Sequence, residues 1–263
     1  MSDTDSKPKG RRGGGRAGNA ARRRKSGVIE QMPWRLPVNT DRPTEPLSAE
    51  GTQAIHEGAM RILEEVGLAF YNDEARTILK GAGCKVVEDQ VFFDRTFVME
   101  MVRRAPARWN MTPRNSERQL VMGDNHILFG NVSSPPNYWD LELGRKVPGT
   151  REHCANLLKL TQYFNCIHFT GGYPVEPQDI HASIRHLDVL FDALTLTDKV
   201  VHAYALGAER VEDAMEMVRL AGGLSHEAFE ASPRMVTNIK PTAPPKNHHP
   251  RKGGWEGQGG GPA

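Results

Sequence analysis

The sequence predicts an α/β fold in which a parallel sheet follows an N-terminal region of helices and short strands. Short apolar runs at 166–172, 200–206 and 235–239 alternate with helical patterns at a spacing of roughly 35 residues, which is typical of βαβ units. Such crossovers are right-handed, so the architecture is either a doubly wound sheet or part of a (β/α)8 barrel. The motif G-x-G-x-x-G follows none of the runs, which weakens the dinucleotide-binding version of a doubly wound sheet.

The N-terminal helical and β region, 47–149, begins with an amphipathic helix. Ser48 is a good N-cap and Gly67 is a good C-terminal stop, and the apolar residues between them recur at helical spacing. We expect these apolar residues to form one apolar face: Ile55, Ala59, Ile62, Leu63 and Val66.

Capping and turn residues divide the rest of this region. Asn72 predicts a short helix, and Asp94 predicts a second one that ends near Arg104. Two apolar runs between these helices predict a small hairpin: Cys84–Val87 and Val91–Phe93. Short strands are then predicted over 118–148: Leu120–Met122, Ile127–Asn131 and Tyr138–Leu143.

Three helices accompany the predicted parallel strands. Thr150 is the N-cap of the first, which runs through Phe164, and the third covers 209–221. The second covers 180–194, and its periodicity places five apolar residues on one face: Ile180, Ile184, Leu187, Phe191 and Leu194.

The two ends of the chain differ in composition from this body. Residues 1–26 contain nine Lys and Arg and two Asp, so this arm carries +7, whereas the whole 263-residue chain carries +2. The Gly/Arg arm and the Pro-rich segment behind it predict a disordered and extended region over 1–46. The arm has no aromatic residue for base stacking, which favours a solubilising or docking role over nucleic-acid binding. The tail 240–263 is rich in Pro and Gly and predicts disorder as well.

Composition also excludes several classes of protein. No apolar run approaches the roughly 18 residues of a membrane-spanning helix, and the first 25 residues are too polar and basic for a secretory signal. The three scattered cysteines, Cys84, Cys154 and Cys166, form no disulfide or metal-site pattern, so we expect a cytoplasmic protein with reduced thiols. The histidines lack metal-site spacing too, and His186 is expected to form an ion pair or a cap.

Candidate binding residues lie where the predicted strands end, because a barrel builds its site from the loops at that edge. Tyr173 and Glu176 follow the first run, Tyr204 lies in the second, and Asn238 lies at the end of the third. Aromatic faces and carboxylates suit a quaternary ammonium group, so we predict that these four residues contribute to a substrate pocket. Packing and turn roles are the alternative for each of them, since position alone is weakly specific.

Long segments of the sequence resemble the trimethylamine methyltransferase family, the tertiary and quaternary amine:corrinoid methyltransferases. The resemblance extends over about residues 11–239. The segments that carry it include AIHEGAMRILEEVGLAF (54–70), NVSSPPNYWDL (131–141), LTQYFNCIHFTGGYPVEPQDIHAS (160–183) and LTDKVVHAYALG (196–207).

The resemblance implies a (β/α)8 barrel, of which 150–239 would be the first part. It implies transfer of a methyl group from a small methylated amine, of trimethylamine or betaine type, to a corrinoid protein. The cobalamin-type corrinoid would be carried by that partner, and this chain would bind no cofactor or metal directly. The family pattern stops at Ile239, so we expect an incomplete TIM barrel of about three strands, catalytic residues outside this sequence, and a truncated chain that is inactive alone.

Two other hypotheses stay open. In one, the chain is a non-enzymatic interaction protein whose basic arm binds nucleic acid or another anionic partner. In the other, the fragment completes its barrel by forming a homo-oligomer or by pairing with a separate half-barrel chain. Salt-dependent binding to DNA or RNA would support the first, and a half-barrel encoded immediately downstream would support the second.

Overall fold

The computed structural model describes residues 29–205 and 207–238, together with the backbone of residues 246–247. The chain divides into two units, residues 1–34 and residues 35–263. In the first unit the described residues, 29–34, form neither helix nor strand. The predicted basic arm, residues 1–26, and most of the predicted tail, 240–263, lie outside the described residues.

Helices and short strands alternate through the second unit. In chain order they are α1 (Ala49–Arg61), β1 (Leu68–Phe70), α2 (Asp73–Gly81), β2 (Lys85–Val87), β3 (Gln90–Phe92), α3 (Arg95–Arg104), β4 (Trp109–Met111), β5 (Leu120–Met122), β6 (Asn137–Asp140), β7 (Arg145–Pro148), α4 (Arg151–Tyr163), α5 (Arg185–Leu196), β8 (Val201–His202), α6 (Ala208–Ala221), α7 (His226–Glu230), β9 (Met235–Val236) and β10 (Lys246–Asn247).

Four helices start at the residue after their predicted cap. Each capping side chain accepts a hydrogen bond from a backbone N–H of the first helical turn, a donor that the helix itself leaves without a partner. Such a bond contributes about 1 kcal/mol to helix stability. The confirmed caps are Ser48, Asn72, Asp94 and Thr150.

Gly67 ends the first helical segment, as predicted. The last turn, Ile62–Val66, is a π-helical turn closed by a hydrogen bond from Gly67 N to Ile62 O (2.8 Å). Gly67 has φ 71, and a side chain at this position would collide with the carbonyl oxygen of Val91. The position therefore requires glycine for both its backbone conformation and its space.

The apolar face predicted for α1 is buried only in part. Ile55 is 62% exposed and Val66 is 54% exposed, whereas Met60 is buried. Leu63 packs against the small core of the neighbouring sheet, which consists of Phe70, Cys84, Val91 and Phe93. The difference arises because this sheet contacts the side of the helix that carries Leu63, and the opposite side stays exposed in the described part of the chain.

The N-terminal sheet has the strand order β10-β1-β3-β2. Strands β2 and β3 form the predicted hairpin, with the turn residue Glu88 at φ 52. Strand β1, which the sequence analysis missed, pairs antiparallel with β3. Strand β10 pairs in parallel with β1, so two residues of the tail that we predicted to be disordered form a strand.

Two further hairpins occupy 109–148. Strand β4 pairs with β5, and β6 pairs with β7, both antiparallel. The sequence predicted β5 and most of β6 but missed β4 and β7. The predicted strand Ile127–Asn131 is reduced to an isolated bridge at Gly130. The carboxylate of Asp140 accepts hydrogen bonds from the N–H groups of Glu142 and Leu143, which ends β6 in a turn.

The predicted parallel strands are present, although they are shorter than expected. Phe169 pairs in parallel with Val200, and Val201 of β8 pairs in parallel with Met235 of β9. Gly130 adds a further parallel neighbour on the other side of Phe169, which the sequence analysis did not predict. The mixture of helices and parallel strands is that of an α/β protein. The described residues do not close a barrel.

Helices α4, α5 and α6 lie side by side, with α4 against α5 and α5 against α6. Arg151 at the start of α4 joins Asp192 of α5 through two hydrogen bonds of 2.8 and 2.9 Å. The core between these helices and the strands consists of Cys154, Leu158, Val175, Val189, Leu190, Ala193, Val201, Ala203, Ala214 and Val218. None of the helices in the described ranges is both long and apolar enough to span a bilayer.

Helix α5 begins five residues later than predicted and buries another face. The guanidinium of Arg185 donates to the carbonyl oxygen of Ile180 (3.0 Å), which closes a turn ahead of the helix. The predicted face is buried only in part, because Leu194 packs against the core but Phe191 is 56% exposed and Ile184 is 49% exposed. The side chains that reach the core are instead Val189, Leu190 and Ala193.

Candidate functional site

Three loops meet at the carboxyl ends of the parallel strands. The segment 171–173 follows the strand residue Phe169, Tyr204 follows β8, and the loop 131–136 follows Gly130. In α/β proteins this edge of the sheet binds ligands, because the loops there surround a crevice. We therefore take this edge as the candidate site.

The hydroxyl of Tyr204 joins these loops. It forms a hydrogen bond with the hydroxyl of Ser133 (2.7 Å) and another with the hydroxyl of Ser134. It also accepts a hydrogen bond from the backbone N–H of Tyr173 (3.3 Å). Gly172 has φ 137, and a side chain there would collide with the Tyr204 hydroxyl, so glycine allows the close approach. Tyr204 therefore fixes the position of the loop 131–136, which we call the serine loop, over the strand ends.

His168 holds the segment that leads into the serine loop. Its ring is buried, and its Nδ1 accepts a hydrogen bond from the N–H of Phe129 (2.9 Å). The other ring nitrogen, Nε2, therefore carries the hydrogen and donates to the carbonyl oxygen of Arg35 (3.1 Å). Burial lowers the pKa of His168, which favours this neutral form.

Three aromatic rings surround the strand ends. The rings of Tyr173 and Tyr204 meet edge to face, with centroids 4.5 Å apart, and the ring of His202 meets Tyr204 at 5.2 Å in the same manner. Burial, followed by the effect of Tyr204, raises the pKa of Tyr173, so its phenol stays neutral. Neutral aromatic rings of this kind offer the negative face that attracts a cation.

A cavity lies between these rings and the helices behind them. It holds about 390 Å³ of empty space, part of which is open to solvent. Its polar lining includes Tyr173, Tyr204 and His202 from the strand ends, and His186 and Arg210 from α5 and α6. Its apolar wall comes from the helix faces that form the core.

The structure brings Tyr173 and Tyr204 together, but it places the other two predicted site residues differently. The carboxylate of Glu176 forms an ion pair with Arg185, so its charge is balanced within the chain. Asn238 is exposed after β9. The sequence analysis missed Ser133, Ser134, His202 and Arg210, although the two serines stand in the quoted segment NVSSPPNYWDL.

His186 contacts a carboxylate, as its predicted ion-pair role requires. Its Nε2 lies 3.0 Å from a carboxylate oxygen of Asp213, which joins α5 to α6. Its Nδ1 is buried without a hydrogen-bond partner in the described part of the chain. Within the same described ranges, no group of three His, Cys, Asp or Glu side chains is arranged to hold a metal ion.

Comparison with known proteins identifies the family. The sequence model described as trimethylamine methyltransferase (MTTB) matches residues 11–256, which is most of the chain. The chain belongs to the trimethylamine methyltransferase (MTTB) family. This confirms the resemblance seen in the sequence, and the matched residues continue past Ile239, where we expected the family pattern to stop.

Relatives of two substrate types resemble the chain. The glycine betaine methyltransferase of Desulfitobacterium hafniense (strain Y51) is 32% identical over 200 residues, covering 76% of this chain and 41% of the relative. The trimethylamine methyltransferase MttB of Desulfitobacterium hafniense (strain DSM 10664 / DCB-2) is 25% identical over 202 residues, covering 75% of this chain and 40% of the relative. The MttB of Methanosarcina thermophila is also 25% identical, covering 74% of this chain and 41% of the relative. The chain thus spans about two-fifths of the length of these relatives.

Proposed function

We propose that this chain takes part in the transfer of a methyl group from a tertiary or quaternary amine to the cobalt of a corrinoid protein. The family membership and the names of the relatives support methyl transfer and a methylated amine. The corrinoid would act as a second substrate, carried by a partner protein that docks at the strand ends.

The observation that carries the proposal is the cluster of Tyr173, His202 and Tyr204 at the carboxyl ends of the strands. A quaternary nitrogen has no N–H, so it is recognised by aromatic faces rather than by hydrogen bonds. The C–N bond electrons stay with the departing amine, and the Co(I) centre supplies the pair that forms the Co–C bond. A quaternary substrate leaves as a neutral tertiary amine, so no general acid is needed. A tertiary amine would react as its protonated ammonium form and leave as a neutral secondary amine that keeps the N–H proton. The protein's task is to desolvate the cation and to align its methyl group with the metal.

A betaine fits the cavity better than trimethylamine does. Arg210 lines the cavity beside the aromatic rings, and the guanidinium groups of Arg210 and Arg185 both act electrostatically on the Tyr173 hydroxyl. A guanidinium is a natural partner for a carboxylate, which a betaine has and trimethylamine lacks. The 32% identity to the glycine betaine methyltransferase agrees with this choice.

Activity requires more of the barrel than the described strands. A (β/α)8 barrel closes only with a consistent number and stagger of strands, and the parallel strands of the described residues do not close one. We propose that the 263 residues alone do not turn over, and that joining residues 1–238 to the second half of the glycine betaine methyltransferase of Desulfitobacterium hafniense (strain Y51) gives an active chimera.

The test is a methyl-transfer assay with a corrinoid protein reduced to Co(I), in which methyl-cobalt formation is followed by absorbance. With glycine betaine, the chimera is expected to methylate cobalt and the chain alone is not. Tyr173→Ala in the chimera is expected to raise the KM for the amine roughly tenfold, because it removes one cation–π partner. Tyr163→Ala, at an exposed tyrosine on α4, is the matched control. A folded chimera that accepts neither glycine betaine nor trimethylamine would refute the proposal.

A further inference from the structure

A second cavity lies at the opposite, amino end of the parallel strands. It holds about 370 Å³ of empty space, part of which is open to solvent. Its polar lining includes Lys199, which precedes β8, and Arg234, which precedes β9. Arg114, from the segment between β4 and β5, completes its charged wall. The site is therefore separate from the aromatic cavity, which lies beyond the carboxyl ends of the same strands.

Backbone hydrogen bonds bring the two arginines to this cavity. The N–H of Thr112 donates to the carbonyl oxygen of Pro233 (3.0 Å), which places the segment of Arg114 beside that of Arg234. The guanidinium of Arg114 also makes a long contact with the carbonyl oxygen of Thr197 (3.4 Å). The hydroxyl of Thr112 accepts a hydrogen bond from Gln119 (2.9 Å), so its own hydrogen can still be donated.

The cavity wall is positively charged and lacks a carboxylate among the described residues that line it. In the described part of the chain neither Arg114 nor Arg234 lies within 4.0 Å of a carboxylate. The Nε of Arg234 is buried without a hydrogen-bond partner there. The nearby Asp198 is engaged by Arg118 (3.1 Å) and by Asn115 (2.8 Å). A guanidinium donor that is buried without a partner is costly, so the site is suited to an anion supplied from outside.

We propose that this cavity binds a small tetrahedral oxyanion, the phosphate group of a small molecule or free phosphate, through Arg114, Arg234 and the Thr112 hydroxyl. Guanidinium groups match the oxygen geometry of both carboxylates and phosphates. In this cavity the N–H and O–H donors come from separate segments of the chain and outnumber the two oxygens of a carboxylate. Binding of a phosphate is favoured, because it offers three or four oxygens to these donors. The inference goes beyond the proposed methyl transfer, because the cavity lies at the other end of the strands.

Isothermal titration of the full chain with inorganic phosphate, at constant ionic strength in chloride, tests the proposal. The wild-type chain is expected to bind phosphate and sulfate, and to bind acetate at least tenfold more weakly. Arg114→Gln and Arg234→Gln are each expected to weaken phosphate binding about tenfold, because each removes charge-assisted hydrogen bonds. Arg103→Gln, at an exposed arginine in the last turn of α3, removes the same charge elsewhere and serves as the control.

The results separate a built site from general charge attraction. Loss of binding in the Arg114 and Arg234 variants, with wild-type binding in the Arg103 variant, supports the site. Arg114 is exposed, so its variant keeps the test valid even where Arg234→Gln disturbs the fold. Equal weakening by all three substitutions, equal binding of acetate and phosphate, or no binding of phosphate to the wild-type chain would each overturn the proposal.

Discussion

Lys199 is a buried cation whose protonation should control the pH dependence of stability. Its side chain is 3% exposed, and its ammonium donates hydrogen bonds to the carbonyl oxygens of Thr161 and Phe164 at the end of α4. Burial is the largest cause that lowers the pKa of Lys199 to about 8, and Arg118 lowers it further while Asp198 opposes the change. The ordinary value for the unfolded chain is about 10.5.

The sign of the effect follows from proton binding. Below pH 8 the lysine is charged in both states, and the cost of burying its charge is fully present. Between pH 8 and about 10.5 the folded state has lost the proton while the unfolded state keeps it, so the free energy of unfolding rises with pH. The shift corresponds to about 3 kcal/mol over the whole interval.

Urea unfolding between pH 7 and pH 10, in buffers free of phosphate, measures this contribution. Relative to Lys199→Met, the wild-type chain is expected to gain about 2 to 3 kcal/mol of unfolding free energy over this range. Lys80→Met, at an exposed lysine on α2, removes a positive charge elsewhere and should keep the wild-type slope. Parallel pH profiles for the wild-type and Lys199→Met chains would refute the reasoning.

Two further predictions concern stability and are measured by the same urea unfolding at pH 7. Tyr204→Phe removes the hydroxyl that holds the serine loop and is expected to lower the unfolding free energy by about 1 to 2 kcal/mol. Tyr138→Phe, at a ring that stacks on His153, should change it little, and equal effects would contradict the role of the Tyr204 hydroxyl. Leu158→Ala opens a cavity in the core between helices and strands and is expected to lower the unfolding free energy by about 2 to 5 kcal/mol. Leu160→Ala, at an exposed leucine, is expected to lower it by less than about 1 kcal/mol, and an equally small loss at Leu158 would contradict its place in that core.

Local signals in the sequence predicted four helix starts and one helix end. Ser48 and Thr150 act through bonds within their own first turns, and Gly67 acts through its own backbone conformation. Such features depend on a few neighbouring residues, so a single sequence contains the information needed. The alternation of helices with parallel strands was also predictable, because short apolar runs recur at the spacing of βαβ units.

Burial and the site were predicted less well, because they depend on residues distant in the chain. Phe191 has the helical spacing of a core residue, yet the core reaches α5 from the side of Leu190. The partner of the Tyr204 hydroxyl is Ser133, 71 residues earlier, and no local pattern indicates that pairing. Glu176 looked like a ligand for an ammonium group, but Arg185 already balances its charge.

The most direct test of the account is whether the cavity at the carboxyl ends of the strands recognises the positive charge of a methylated amine. Glycine betaine and 3,3-dimethylbutanoate have the same shape and carboxylate, and they differ in whether the central atom is a charged nitrogen or a neutral carbon. Isothermal titration of the chimera is expected to show glycine betaine binding about tenfold more tightly, with the difference reduced in Tyr173→Ala. Equal affinities for the two compounds in the folded chimera would contradict the account.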